Sequence, residues 1–345
     1  MRNQYLKILV LFCIIALFSS NCATLLEAGE GSPFGVCVGL TECKDEELAR
    51  LVKETGIKWV RQQIRWDVIE PRQGEFHWED FDKAIANECK HGLSVYGLLH
   101  WKSWSDPTTG DDEAIKNWTN FVSLAVTRYK GKIKYWEVWN EEDYTGFWSP
   151  PNAANYVKLL RATYITAKAI DPECKIILGG LMGWGGESPY FPFIDEVYKN
   201  GGKDYFDILA FHPYTLSNSP AKNNLLEWKI KDVLSRMESH GDPDKPVWIT
   251  ELGWASNKLT NPKSKWPVTP DKQADYLTEA FEISLSYPQV KKVFWYGFRD
   301  VGTSPVDIQH NFGLIKHDLT AKPAYNAYKR VIMKWKAIKA QESIR

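Results

Sequence analysis

No Cys-x-x-Cys pair and no His-Glu-x-x-His run occurs in this chain, so the common zinc frameworks find no ligand set in it. No Gly-rich phosphate loop follows the first strand-like segment, which argues against a dinucleotide-binding open sheet. Net charge is also missing: 43 basic side chains balance 43 acidic ones. Neither nucleic acid nor an anionic surface is therefore an expected partner. Beyond residue 18 no apolar run is long enough to cross a bilayer. Cysteine is sparse, with six in 345 residues. No metal and no cofactor are expected, and a monomer is the default.

What the chain does hold begins at its N-terminus. Arg2 and Lys7 precede an apolar run from Ile8 to Phe18, followed by Ser19, Ser20, Asn21, Cys22 and Ala23. That pattern reads as a secretory signal or lipoprotein leader over residues 1–22. The expected location is outside the cytoplasm: secreted, periplasmic or lipid-anchored to the envelope through Cys22. Ser19 departs from the leucine usual at that place in a bacterial lipobox. Cys13 falls in the leader, and Cys37, Cys43, Cys89 and Cys174 are four thiols that an oxidising compartment could pair. A linker is expected over 23–32 and a single domain over 33–340.

Within that domain, short β-branched or aromatic segments alternate with amphipathic ones of helical period. Strands are expected at 34–39, 58–63, 94–100, 134–140, 175–181, 206–212, 247–251 and 292–298. Helices are expected at 45–55, 78–91, 112–129, 153–170, 190–199, 225–240, 270–286 and 321–337. Asp45 and Asp112 are placed to cap helices, and Pro270 suits a first turn. Eight such units in unbroken alternation predict a parallel (β/α)8 barrel, which takes roughly 250 residues. A doubly wound open sheet is the alternative.

Barrels of this kind carry their sites at the C-terminal ends of the strands. Read there, the chain delivers Arg61, His100, Asn140 with Glu141, His212 with Tyr214, Glu251 and Trp295. Two of these end apolar, aromatic-rich runs: Trp136-Glu137-Val138-Trp139-Asn140-Glu141 and Trp248-Ile249-Thr250-Glu251-Leu252-Gly253-Trp254. A carboxylate in such a run is costly to bury unless paired or used. Two of them at one rim are what cleavage of a glycosidic bond needs. The 16 Trp, 16 Tyr and 15 Phe suit either a large core or a cleft in which sugar faces stack on rings. Trp101, Trp104, Trp139, Phe147, Trp148, Trp184 and Trp254 lie near the rim and would form such a stacking track, which favours endo action.

At this point the chain resembles the retaining glycoside hydrolases of clan A, where the acid/base follows Asn on the fourth strand and the nucleophile ends the seventh. The likeness extends to Trp66-Asp67-Val68-Ile69-Glu70-Pro71 with Gly74 and Phe76, to Asp171-Pro172 before Lys175-Ile176-Ile177-Leu178-Gly179-Gly180, and to Phe211-His212-Pro213-Tyr214. These details look most like glycoside hydrolase family 39 and its relatives, with family 5 the nearer alternative. The resemblance implies Glu141 as general acid/base and Glu251 as nucleophile, acting on a β-linked oligosaccharide or polysaccharide by double displacement. Retention requires carboxyl groups about 5–5.5 Å apart, inversion roughly 6.5–9.5 Å.

The supporting roles expected are these. Arg61 would hold Glu251 ionised, with Arg65 as a rival; Asn140 would donate to the sugar 2-hydroxyl. Tyr214 would bond Glu251, His212 would position Glu251 or the sugar, His100 would bind hydroxyls, and Trp295 would floor the subsite of cleavage. Trp101, Trp148 and Trp254 are the ring contacts expected for substrate. Glu137 would be a paired carboxylate lower in the barrel, Glu142 stands where many relatives have Pro, and Glu187 and Asp300 would be loop charges. Competing readings are a carbohydrate-binding barrel without catalysis and a transglycosylase acting on an envelope polysaccharide.

Overall fold

The structure, a computed structural model, describes residues 29–183, 191–256 and 267–343. Eight strands run as β1 (Phe34–Val38), β2 (Trp59–Arg65), β3 (Ser94–His100), β4 (Ile133–Asn140), β5 (Lys175–Gly180), β6 (Leu209–Phe211), β7 (Val247–Leu252) and β8 (Val290–Tyr296). They pair in the order β5-β4-β3-β2-β1-β8-β7-β6, with parallel neighbours throughout. The two ends of that order meet, since Leu178 N donates to Ile208 O at 2.9 Å and Leu181 N to Ala210 O at 3.2 Å. The sheet closes, and the fold is the expected (β/α)8 barrel.

Around it lie α1 (Leu40–Cys43), α2 (Glu46–Thr55), α3 (Trp66–Ile69), α4 (Glu79–Lys90), α5 (Asp112–Tyr129), α6 (Ala153–Ile170), α7 (Pro192–Lys199), α8 (Leu225–Ser239), α9 (Pro270–Leu285) and α10 (Pro323–Glu342). Asp45 caps α2 by accepting from the amides of Glu47 and Leu48, and Thr269 caps α9 with Pro270 in its first turn. Asp112 lies inside α5 rather than at its cap, which is Asp111. The short α1 and α3 were not expected. Both sit on the rim just after β1 and β2.

The Trp66-to-Gly74 motif is a loop fastened by one buried acid. Glu70 accepts from Trp66 Nε1 at 2.7 Å and from Gly74 N at 2.9 Å, and Gly74 takes the left-handed conformation, φ 80°.

Strand alternation sorts the core in two. Outward residues such as Val36, Ile64, Leu99, Val138 and Ile249 pack under the helices. Inward ones, Trp59, Tyr96, Tyr135, Ile177, Trp248 and Phe294, fill the lower barrel. The chain entering at Gly29 covers this floor: Trp59 Nε1 donates to Gly29 O at 2.7 Å, and Lys292 Nζ to Glu30 O and Ser32 O. From Gly29 onward the expected linker is thus part of the barrel.

The leader over 1–22, with Cys22, lies outside the described residues. Cys37, Cys43 and Cys174 are buried free thiols, so the four cysteines do not pair among themselves. Among the described residues no helix is long and apolar enough to cross a membrane.

Candidate active site

Four strands bring the polar centre together. Arg61 on β2, 2 % exposed, donates from Nε and Nη2 to the two oxygens of Glu137 at 2.8 and 3.1 Å. Nη2 also donates to Asn140 Oδ1 at 2.8 Å, and Nη1 donates to Glu251 Oε1. From β7, Glu251 accepts a further bond at Oε2 from Tyr214 Oη, 2.9 Å. His212, one residue past β6, places Nδ1 2.8 Å from Glu141 Oε1 and Nε2 3.1 Å from Thr250 Oγ1. Thr250 Oγ1 donates to Glu137 Oε1 at 3.3 Å. An unbroken chain of hydrogen bonds, through His212, Thr250, Glu137 and Arg61, therefore joins Glu141 to Glu251 beneath the cleft.

Local backbone makes this possible. Tyr135 and Glu137 alternate inward on β4, but Trp139 adopts φ 71° and Glu141 φ 50°. Left-handed conformations are uncommon outside glycine and concentrate at working sites. Strict alternation would carry Trp139 inward. The twist sends its ring outward, against Trp118 and Trp148, and leaves Asn140 and Glu141 facing the cleft. Glu141 N then docks on Gly180 O at 3.1 Å.

The two carboxylates are shifted in opposite directions. Burial pushes Glu141 up, with the charge of Glu251 adding to it and His212 opposing, and its pKa is raised. Burial acts the same way on Glu251, but His212, Arg61 and the Tyr214 hydroxyl outweigh it, and its pKa is lowered. Burial alone would discharge the imidazole of His212, yet Glu251 and Glu141 together raise its pKa.

Glu141, His212 and Glu251 have donor atoms within 4.8 Å of one another, the spacing a cation would want. Both ring nitrogens of His212 and both oxygens of Glu251 already have protein partners. A cation there would have to compete with those partners.

Several expected contacts differ. His212 bonds Glu141 and comes no closer than 3.8 Å to Glu251. Arg65 pairs with Asp67 and lies over Trp101, 5.4 Å from its centroid, leaving Glu251 to Arg61. Trp295 is turned out of the barrel: it is fully buried, donates to Phe312 O at 3.0 Å and packs on Trp254. Tyr296, its neighbour, takes the inward place beside Glu251. Trp254, bonded to Asn218 O, and Trp148, packed on Trp139 and Tyr156, are core rings.

His100 is 2 % exposed and neutral, its pKa driven well down by burial, among Trp101, Trp139 and Phe147. Trp101 and Phe147 stay half-buried at the cleft, and Trp104 is half-buried against Trp66. The continuous aromatic track is not formed by these residues; Trp184 and Glu187 lie outside the described ones. Asp300 is buried, bonded to Lys322 Nζ and Gly313 N. Glu142 is buried behind β4 with no hydrogen-bond partner among the described residues, and burial drives its pKa well up. Thr250 and Tyr296 were missed, although counting in twos from Trp248 and Phe294 reaches both.

The chain matches the family described as Glycosyl hydrolase catalytic core over residues 104–333, and Glycosyl hydrolase family 10 over residues 23–179. It is 29 % identical over 140 residues to endo-1,4-beta-xylanase 2 of Claviceps purpurea, covering 37 % of this chain and 42 % of that protein. It is 20 % identical over 319 residues to endo-1,4-beta-xylanase B of Thermotoga neapolitana, covering 81 % of each. The alignment with the Claviceps protein thus spans less than half of that protein's length.

Among solved structures, a family 39 glycoside hydrolase from the gut symbiont Bacteroides cellulosilyticus WH2 superposes with TM-score 0.70 at 26 % identity, over 87 % of this chain and 63 % of that one. Native xylanase 10B from Thermotoga maritima gives 0.64 at 19 % identity, over 90 % and 97 %, a likeness of fold.

Proposed function

This chain belongs to the glycosyl hydrolase catalytic core family, and on that premise we propose that it hydrolyses β-linked glycan by double displacement with retention at the anomeric carbon. The observation that carries this reading is the pair Glu141 and Glu251, carboxylate oxygens within 4.8 Å and protonation shifted in opposite directions. That closeness favours direct attack by one carboxylate over the wider spacing that an inverting enzyme keeps for its water.

Glu251, ionised by Arg61 and Tyr214, attacks the anomeric carbon while Glu141 protonates the departing oxygen. The C1–O bond to the aglycone breaks as the C1–Oε bond to Glu251 forms. Water, deprotonated by Glu141, then releases the sugar and restores both groups. Asn140 Oδ1 is occupied by Arg61, so its amide N–H is free to meet the sugar 2-hydroxyl. His212 donates to Glu141 and keeps it pointed at the leaving group.

The xylanases it resembles name the substrate class to try first, a β-1,4-linked xylan-type polymer or oligomer. The leader-like N-terminus supports action outside the cytoplasm. The test is reducing-end release from a panel of β-linked polysaccharides by wild type and Glu251→Gln, with proton NMR of the first-formed anomer. Release lost in the variant and a β-anomer first establish the reading. Activity surviving in Glu251→Gln, or an α-anomer first, overturns it.

A further inference from the structure

Beside Glu251 the cleft narrows to a cavity of about 160 Å³, bounded by β1, β2, β8 and the loop after β8. Pockets for drug-sized ligands start at roughly 300 Å³, so this one suits a single sugar ring. Arg299 lines it, and so does Glu42 of α1, 5 % exposed. Glu42 Oε2 accepts from Gly39 N at 2.8 Å, while Oε1 stands 3.6 Å from Arg299 Nε, an ion pair too long for a hydrogen bond. Neither Oε1 nor Nε has a hydrogen-bond partner among the described residues. A buried pair with such geometry is a poor source of stability. Its place on the wall of the cavity that holds Glu251 points instead to recognition.

Resting on the glycosidase reading above, we propose that Arg299 selects the sugar on the non-reducing side of the scissile bond. Its outer guanidinium nitrogens donate to a ring hydroxyl, and Glu42, beside it on the same wall, is the positioning residue that holds the fork through Nε. The selected sugar is neutral. Glu251 shares the cavity as an anion, Arg61 is already taken by Glu137, Glu251 and Asn140, and Glu42 balances Arg299. A uronic carboxylate would find no uncompensated cation there. The amides of Gln63 and Gln309, which line the same wall, complement hydroxyls instead.

The test uses whichever 4-nitrophenyl β-glycoside the full chain hydrolyses best among xyloside, glucoside, galactoside and glucuronide, together with its monodeoxy analogues. One analogue is expected to lose about 10- to 100-fold in kcat/KM, the worth of a hydrogen bond to a charged group. Arg299→Met should lose a similar factor on the parent glycoside and nothing further on that analogue. Glu42→Gln should weaken the same discrimination with the pH profile unmoved, circular dichroism verifying the fold of each variant. An Arg299→Met enzyme that discriminates like wild type, or a glucuronide hydrolysed best, overturns the assignment while the glycosidase reading stands. A folded wild type inert on all four and on the β-linked polysaccharide panel overturns the glycosidase reading and this assignment with it.

Discussion

His212 touches Glu141 and lies 3.8 Å from Glu251, so one ring bears on both halves of the reaction. A lowered Glu251 places the acid limb of the kcat/KM profile below the ordinary carboxylate value near 4.5, and a raised Glu141 places the alkaline limb above it. The charge of His212 lowers the pKa of both carboxyl groups. His212→Phe should therefore move both limbs toward higher pH, where a merely structural residue would lower the curve without shifting it. An unshifted bell would show that the imidazole is uncharged in the working enzyme. Glu141→Ala should cost roughly 10²- to 10⁴-fold on substrates with poor leaving groups. It should cost far less in forming the glycosyl-enzyme from a dinitrophenyl glycoside, which departs without a proton. Azide, which needs no base, should then restore turnover as the β-glycosyl azide; failure of that rescue would remove Glu141 from the acid/base role.

At the scale of elements, the site depends on where strands stop. β5 ends in Gly179-Gly180 because its neighbours leave no space: a Cβ on Gly180 would lie 2.2 Å from His212 Nε2 and 2.8 Å from Thr250 Oγ1. Gly180→Ala should tilt His212 away from Glu141, lowering kcat/KM while costing ~1–3 kcal/mol of stability as overpacking does. Activity and chemical denaturation measured together would check it, and full activity in a destabilised protein would sever Gly180 from the site.

Much of this was legible in the sequence because the eight-unit alternation and the ends of β4 and β7 are strong local patterns. What escaped was face. On β8 a one-residue change of parity exchanges Trp295 for Tyr296, and nothing in the local composition distinguishes a Trp packing under helices from one lining a cleft. On β4 the turn at Trp139 breaks the period of two, and non-glycine residues give little warning of a left-handed φ. Glu42 and Arg299 escaped because they approach across the rim from opposite ends of the chain.

On the scale of the molecule, the barrel has a polarity. The described chain enters at the floor, where Gly29 O meets Trp59, and the cleft opens at the other end. The shell of helices also stores acids that the site does not use. Glu88 on α4 is 1 % exposed, its oxygens have no hydrogen-bond partner among the described residues other than the neighbouring Cys43 thiol, and burial pushes its pKa up to about 8 against that thiol. In the unfolded chain the same group titrates near 4.5.

Between those values the folded protein keeps a proton that the unfolded chain has released, so stability falls as pH rises from about 4.5 to about 8. Each unit of difference corresponds to about 1.4 kcal/mol, and relaxation of the buried site trims the total to a few kcal/mol. Glu88→Gln keeps the shape and cannot ionise. Near pH 4.5 its Tm should match wild type, since both carry an uncharged group there. Near pH 8.5 it should melt several degrees higher, because only wild type then carries the buried charge. Thermal unfolding of both proteins at the two pH values decides this, and an equal Tm difference at each would mean that Glu88 is hydrated or paired in solution.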